Sequence, residues 1–223
     1  MSFVKTQGKS FEIILVDDGS TDATHEVLKP LTTLQHIKVI TLPTNQGKGA
    51  ALKAGITASS GDYIVFTDAD LPYELSVIQS MLEKLSEGYD LVIGSRDLPR
   101  SRSLVAPHFG RTILSYAFSA LANIALLYPL GDTQCGIKGF RREAARRIFK
   151  QARINGFCCD VELLYLAQKE GYRIARVPVK LIFNAKTGIR LPHMLRILYD
   201  VVTLIVRNRL VYAHSPHNEE PSR

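Results

Sequence analysis

Four short runs of β-branched and other apolar residues, each closed by turn-forming or charged residues, constrain this fold most. Phe11–Val16 precedes Asp17-Asp18-Gly19, and Ile37–Leu42 ends at Pro43. Tyr63–Phe66 runs into Asp68-Ala69-Asp70, and Asp90–Ser95 ends at Arg96. Between them helices are predicted from Ser20, Thr21 or Asp22 as cap to about Leu34, from Ala50 to Ser59, and from about Tyr73 to Glu87. The order β-α-β-α-β-α-β predicts an α/β fold: a mostly parallel sheet with helices on both faces. Ligands of such sheets bind beyond the carboxyl ends of the strands. Asp17 and Asp18, the loop Asn45 to Gly49, Asp68 and Asp70, and Ser95-Arg96 are therefore expected to line one crevice.

Asp68 and Asp70 stand two residues apart on an extended chain, so they can face one point. Two carboxylates that close repel unless a cation neutralises them. A hard divalent cation, Mg2+ or Mn2+, held by one or two carboxylates together with substrate phosphates, meets that need. The alternative is a solvated turn after a strand, where Asp is common.

The chain has 223 residues, 46% of them hydrophobic, enough for one domain with a substantial core. Lys and Arg number 28 against 21 Asp and Glu, and the net charge of +7 favours an anionic partner. With no Trp, and no basic block interleaved with aromatics, nucleic acid is not the expected one. A phosphorylated ligand and a membrane surface remain. Cys135, Cys158 and Cys159 have neither metal-ligand spacing nor a disulfide framework. A reduced, cytosol-facing compartment fits, and Cys158 and Cys159 read as core packing. His25, His36, His108 and His193 show no ligand spacing.

No charged residue lies between Arg111 and Asp132, nearly the length of a bilayer span. Thr112, Ser115, Ser119, Asn123 and Pro129 interrupt it, so a buried or membrane-lying helix is expected rather than a span. The preceding loop, with Arg96, Arg100, Arg102 and Arg111, fits either solvent or anionic headgroups. Further on, a basic helix is predicted over Arg141–Gln151, an amphipathic helix over Asp160–Glu170 and a strand over Tyr172–Phe183. Leu191–Leu210 reads as an interfacial helix, because Arg196, Asp200 and Arg207 disfavour a span. Residues 213–223 read as a disordered tail.

Six motifs can now be placed: VDDGSTD at 16–22, NQGKG at 45–49, DAD at 68–70, GSR at 94–96, DTQCGIKGF at 132–140 and DVELL at 160–164. Together they resemble family 2 glycosyltransferases of the GT-A fold. The resemblance is strongest to the polyprenyl-phosphate sugar transferases, which include dolichyl-phosphate glucosyl- and mannosyltransferases, and above all to the beta-glucosyl branch. It implies inverting transfer of a hexose, glucose from UDP-glucose, to dolichyl or undecaprenyl phosphate. The setting would be the cytosolic face of an ER or bacterial plasma membrane, with GDP-mannose as the alternative donor.

The same resemblance implies roles for individual residues. Asp17 and Asp18 would contact the nucleoside; Asn45, Lys48 and Gly49 would approach the donor, where glycines permit close backbone contact. The NQGKG loop is not a Walker A motif, since no Ser or Thr follows Lys48. Asp68 and Asp70 would hold the metal, Arg96 an anionic phosphate, and Gln134 and Lys138 would lie near the sugar and acceptor. Asp160 stands where some relatives carry a candidate base. A phosphate monoester is already ionised near neutral pH, its second pKa being about 6, so Asp160 reads equally as an N-cap or first-turn carboxylate. Glu162 reads as solvated or pairing.

The pattern departs at its start. A strand and PAYNE-like loop are expected before VDDGS, and residues 1–10 match neither. The expected domain is therefore 11–212, truncated at its N-terminus or continued upstream. A rival reading is an inactive nucleotide-sugar-binding homologue. A response-regulator-like module would leave DAD and DTQCGIKGF without a role. No feature of the sequence speaks to oligomeric state.

Overall fold

The computed structural model of the chain describes residues 10–104, 123–124, 126–156, 158–182 and 199–206. The expected strands form as β1 (Ile13–Asp17), β2 (Ile37–Thr41), β3 (Tyr63–Phe66) and β4 (Leu91–Ser95). They are joined by β5 (Arg102–Ser103), β6 (Lys138–Arg141), β7 (Ile174–Pro178) and β8 (Lys180–Leu181). The helices are α1 (Thr24–Leu28), α2 (Lys48–Ala58), α3 (Val77–Ser86), α4 (Arg142–Gln151) and α5 (Cys159–Lys169).

Helix boundaries differ from expectation for local reasons. α1 gives way to a 3-10 turn over Lys29–Thr33, because Pro30 offers no N–H to continue the ladder. Asp22 shapes its entry: one carboxylate oxygen accepts the Thr24 amide at 3.0 Å and its hydroxyl at 2.5 Å. α2 begins at Lys48, so Lys48 and Gly49 belong to a helical first turn and not to the loop. α3 starts at Val77 because Tyr73 is drawn into a bridge with Leu181. The strand expected over Tyr172–Phe183 is divided at Val179, where pairing passes from β4 to β5 and the Arg102 amide donates to Val179 O at 3.1 Å.

The main sheet runs β3-β6-β4-β7. β6 is antiparallel to both neighbours and β4 is parallel to β7, so only β6 runs against the others. Lys138, the first residue of β6, pairs with Phe66 and with Ile93. β6 therefore begins at the carboxyl ends of β3 and β4. β1 and β2 form a separate parallel pair, as do β5 and β8. Among the described residues β1 and β3 share no strand pairing. Glu12 ties their lower ends instead, accepting Ser60 N at 2.5 Å, Ser60 Oγ at 2.6 Å and Lys38 Nζ at 2.8 Å.

Helices cover both faces, as alternation along β4 requires. Val92 faces a cluster with Val77, Met81 and Leu85, one stripe of α3. Leu91 and Ile93 face the other way, onto Ile148 of α4 and Leu163 and Leu164 of α5. α5 is not amphipathic: every residue from Cys159 to Gln168 is buried. Its outer side is covered by Leu126, Leu130, Val201 and Leu204. Glu162, expected at a solvated or pairing position, is fully buried and accepts the Arg153 and Ile154 amides at 2.9 and 2.7 Å.

Residues 199–206 are helical, with Val201 and Leu204 buried and Tyr199, Val202 and Val206 exposed. Most of the charge-free stretch, most of Leu191–Leu210 and the 213–223 tail lie outside the described residues. Among the described residues no helix is long and apolar enough to cross a membrane.

Candidate active site

Four of the expected residues meet at the carboxyl ends of β3 and β4. Asp68 follows β3, Lys48 opens α2, Lys138 opens β6 and Asp160 lies in the first turn of α5. Lys48 Nζ stands 3.0 Å from Asp68 Oδ1 and 3.1 Å from Asp160 Oδ2. Lys138 Nζ stands 2.6 Å from Asp160 Oδ1 and donates to Cys135 O at 2.8 Å. A chain of alternating charge thus runs from the interior outward: Lys138, Asp160, Lys48, Asp68.

Burial alone would push the Asp160 carboxyl up, but Lys138 and Lys48 outweigh it and hold it below the usual carboxylate value. Burial opposes the Lys48 charge as well, and Asp160 and Asp68 reverse that, holding it above an ordinary lysine. Asp160 does not cap α5; the cap position is Cys158, which makes no side-chain cap bond. Both oxygens of Asp160 are engaged by ammonium groups, which suits a positioning carboxylate better than a base.

Asp68 Oδ2 rests against Gly136. A Cβ at that position would drive into this oxygen, so only glycine leaves the carboxylate its place. Asp68 O accepts the Leu71 amide at 3.1 Å, closing a turn in which Leu71 takes φ 45°, a value bulky residues seldom adopt. Asp70 lies exposed in this turn. Among the described residues no three His, Cys, Asp or Glu side chains gather as a metal cluster. Two hard carboxylates, one with 42% of its side chain exposed, still fit a divalent ion whose other ligands come from water and substrate phosphates.

Arg96, expected to reach a phosphate, is clamped by Asp132. Its Nε and Nη2 donate to the two carboxylate oxygens at 2.6 and 2.7 Å, and its amide adds a third bond at 2.9 Å. The bidentate bonds raise the Arg96 pKa, while Asp132, despite its burial, is lowered by Arg96. Beyond Asp132, Thr133 Oγ1 and Gln134 Nε2 are buried with no protein partner, as is Asp17 Oδ2. Each such atom costs roughly 1–3 kcal/mol if left unpaired, so polar ligand atoms arriving here would be stabilised.

Asp17 and Asp18 are occupied with the backbone. Asp17 Oδ1 accepts the Ser20 amide at 3.0 Å, and Asp18 accepts the Gln46 and Gly47 amides at 2.8 Å each. They thereby hold the loop that carries the exposed Asn45 and leads into Lys48. The glycines of this loop have a reason internal to the chain. A Cβ at Gly47, which has φ 100°, would strike Asn155 O, and one at Gly49 would strike Ile154 O. The Gly49 amide donates to Asn155 O at 2.8 Å. Both glycines thus make close contact with residues 154–155 of the chain.

Sequence reasoning missed Asp132, Thr133 and Gly136 as individual residues, although all three lie in the DTQCGIKGF motif. The one available signal was an acidic residue opening a motif otherwise read for Gln134 and Lys138.

Comparison with known proteins bears on this arrangement. The family model described as glycosyl transferase family 2 matches residues 2–149. The chain is 39% identical over 178 residues to a dolichyl-phosphate beta-glucosyltransferase of Dictyostelium discoideum, covering 76% of this chain and 54% of that protein. It is 36% identical over 183 residues to the human dolichyl-phosphate beta-glucosyltransferase, covering 76% and 55%. The chain therefore spans about half the length of these curated relatives. Among solved structures, glucosyl-3-phosphoglycerate synthase from Mycobacterium tuberculosis in complex with Mn2+ and UDP-glucose superposes with a TM-score of 0.62 at 22% identity, covering 87% of this chain and 66% of that one. Such a likeness shows the shared GT-A fold.

Proposed function

The chain belongs to glycosyl transferase family 2, and on that premise we propose that it transfers glucose from UDP-glucose to a dolichyl or other polyprenyl phosphate at a membrane surface. The observation that carries this reading is the meeting of Asp68, Lys48 and Asp160 at the strand ends, where Lys48 Nζ stands 3.0 Å from Asp68 Oδ1 and 3.1 Å from Asp160 Oδ2. The names of the relatives supply the sugar and the acceptor class.

Asp68 and Asp70 would hold Mg2+ or Mn2+ on the donor diphosphate, and the ion would supply charge neutralisation of the leaving group. Lys48 adds a second positive charge on the same side. An oxygen of the acceptor phosphate attacks the anomeric carbon from the opposite face; the bond from that carbon to the diphosphate oxygen breaks, and the configuration inverts. The acceptor is ionised near neutral pH, so Asp160 is not required to take a proton from it. What the chain provides is alignment and exclusion of water. Arg96, held flat by Asp132, presents the rest of its half-exposed guanidinium to an anionic group, and the buried Gln134 amide offers a donor to the sugar or phosphate. The exposed Tyr199, Val202 and Val206, with the basic residues Arg100 and Arg102, suit contact with a lipid surface.

One observation favours a second reading, a nucleotide-sugar-fold protein without activity: among the described residues β1 and β3 belong to separate sheets and do not pair. Titration calorimetry with UDP-glucose and GDP-mannose, with and without Mn2+, on this chain and on Asp70→Ala separates the two. Metal-dependent binding of UDP-glucose that the substitution abolishes supports the transferase. Binding of GDP-mannose alone moves the assignment to mannose. A folded chain that binds neither donor supports the inactive homologue.

A further inference from the structure

We propose that Lys48 is a built-in counter-ion for Asp68, holding that carboxylate until a divalent metal arrives and then passing to the donor diphosphate. The same ammonium group would oppose the binding of metal alone and favour the binding of nucleotide with metal. This rests on the transferase reading above.

Lys48 has two partners of different character. Asp160 is fixed: its side chain is 3% exposed, and its other oxygen is held at 2.6 Å by the fully buried Lys138. Lys138 is in turn anchored to Cys135 O at 2.8 Å. Asp68 is the exchangeable partner, 42% exposed and 3.0 Å away. The backbone beneath Lys48 is fixed as well, since the neighbouring Gly49 amide is bonded to Asn155 O. Only the outer contact of the ammonium group can be given up without disturbing the interior.

A divalent ion on Asp68 Oδ1 would share that oxygen with a positive charge already in contact with it. Two cations on one carboxylate oxygen repel, and the repulsion is strengthened where solvent is partly excluded. A nucleoside diphosphate changes the balance, because it brings negative charge to the same place. The ammonium group then exchanges a carboxylate oxygen for a phosphate oxygen while keeping Asp160. Lys48 is thus a positioning residue in the free protein and a ligand-binding residue in the complex.

The test is a pair of calorimetric titrations, Mn2+ alone and UDP at saturating Mn2+, on the unaltered chain, Lys48→Met and Lys48→Gln, each checked for folding by circular dichroism. The expected result for both neutral variants is a gain of about tenfold in affinity for Mn2+ alone and a loss of about tenfold for UDP, two shifts of opposite sign. Lys48→Arg, which keeps the charge, is expected to stay within about threefold of the unaltered chain in both titrations. Neutral variants that do not gain affinity for Mn2+ alone, or whose two affinities move together, overturn the counter-ion role. Failure of the unaltered chain to bind UDP with Mn2+ overturns the transferase reading instead, whatever the variants do.

Discussion

Lys138 Nζ lies 2.6 Å from Asp160 Oδ1, and the two side chains are 0% and 3% exposed. A charge buried this deeply is tolerated because its partner is present, so removing one partner costs more than the pair contributes. Asp160→Asn leaves Lys138 without its counter-ion and is expected to lower the unfolding free energy by roughly 3–5 kcal/mol. Urea unfolding measures it, and a loss under about 1 kcal/mol would show that Lys138 finds other compensation.

Gly136 and Asp68 make a second tight pair. Gly136→Ala places a methyl group where Asp68 Oδ2 now sits. The carboxylate must turn away, and metal-dependent UDP binding is expected to fall at least about tenfold. Circular dichroism should stay that of the unaltered chain. Undiminished nucleotide affinity in this variant would remove Asp68 from the metal site.

Arg96 and Asp132 are joined in a planar, two-point contact that lysine cannot reproduce. Arg96→Lys is expected to destabilise the chain by about 1–2 kcal/mol, in line with hydrogen bonds to charged groups. It is also expected to lower turnover in a glucosyl-transfer assay. Thermal melting alongside that assay reads both effects.

Acid should weaken the tie at the lower ends of β1 and β3. Lys38 and the Ser60 amide and hydroxyl overcome burial and hold Glu12 at about 2, against an ordinary 4.5. Because the folded-state value is the lower one, the unfolded chain binds the proton first as pH falls. The contribution of Glu12 is therefore complete above about pH 4.5 and disappears as pH falls toward 2. Asp160, also depressed, acts in the same direction. Urea midpoints between pH 6 and 3 should fall, and fall less steeply in Glu12→Gln. An equal slope in that variant would exclude Glu12 as a source of acid sensitivity.

The cysteines should be inert in the native state. Burial raises all three thiols, Cys158 to about 12, and a thiol that does not ionise is a poor nucleophile. A thiol reagent at pH 7.5 should label Cys135, Cys158 and Cys159 only after urea is added.

Local pattern was enough for the strands. β3 falls on the Tyr63–Phe66 run, and β1, β2 and β4 lie within a residue or two of theirs, because short β-branched runs bounded by turns have few alternatives. The motifs likewise marked Lys48, Asp68, Lys138 and Asp160 before any of them had a partner. Less was legible where a property depends on what lies opposite. α5 has polar residues at helical spacing, yet Gln168 is buried against Leu127 and Tyr128, and Glu162 is buried with its carboxylate on the Arg153 and Ile154 amides. Gly47 and Gly49 are glycines because residues 154–155 pass against them.

What the sequence by itself determined was the succession of strands and helices, the end of the sheet where a ligand would bind, and the residue types gathered there. These follow from periodicity and turn chemistry within some ten residues of chain. Only the tertiary structure decided that β6 runs between β3 and β4, and that Lys48 stands between Asp68 and Asp160. It also paired Arg96 with Asp132. The Arg96–Asp132 and Lys48–Asp160 pairs join residues 36 and 112 positions apart. A salt bridge across such a distance is set by which helices and strands pack together, and no local preference of the chain encodes it.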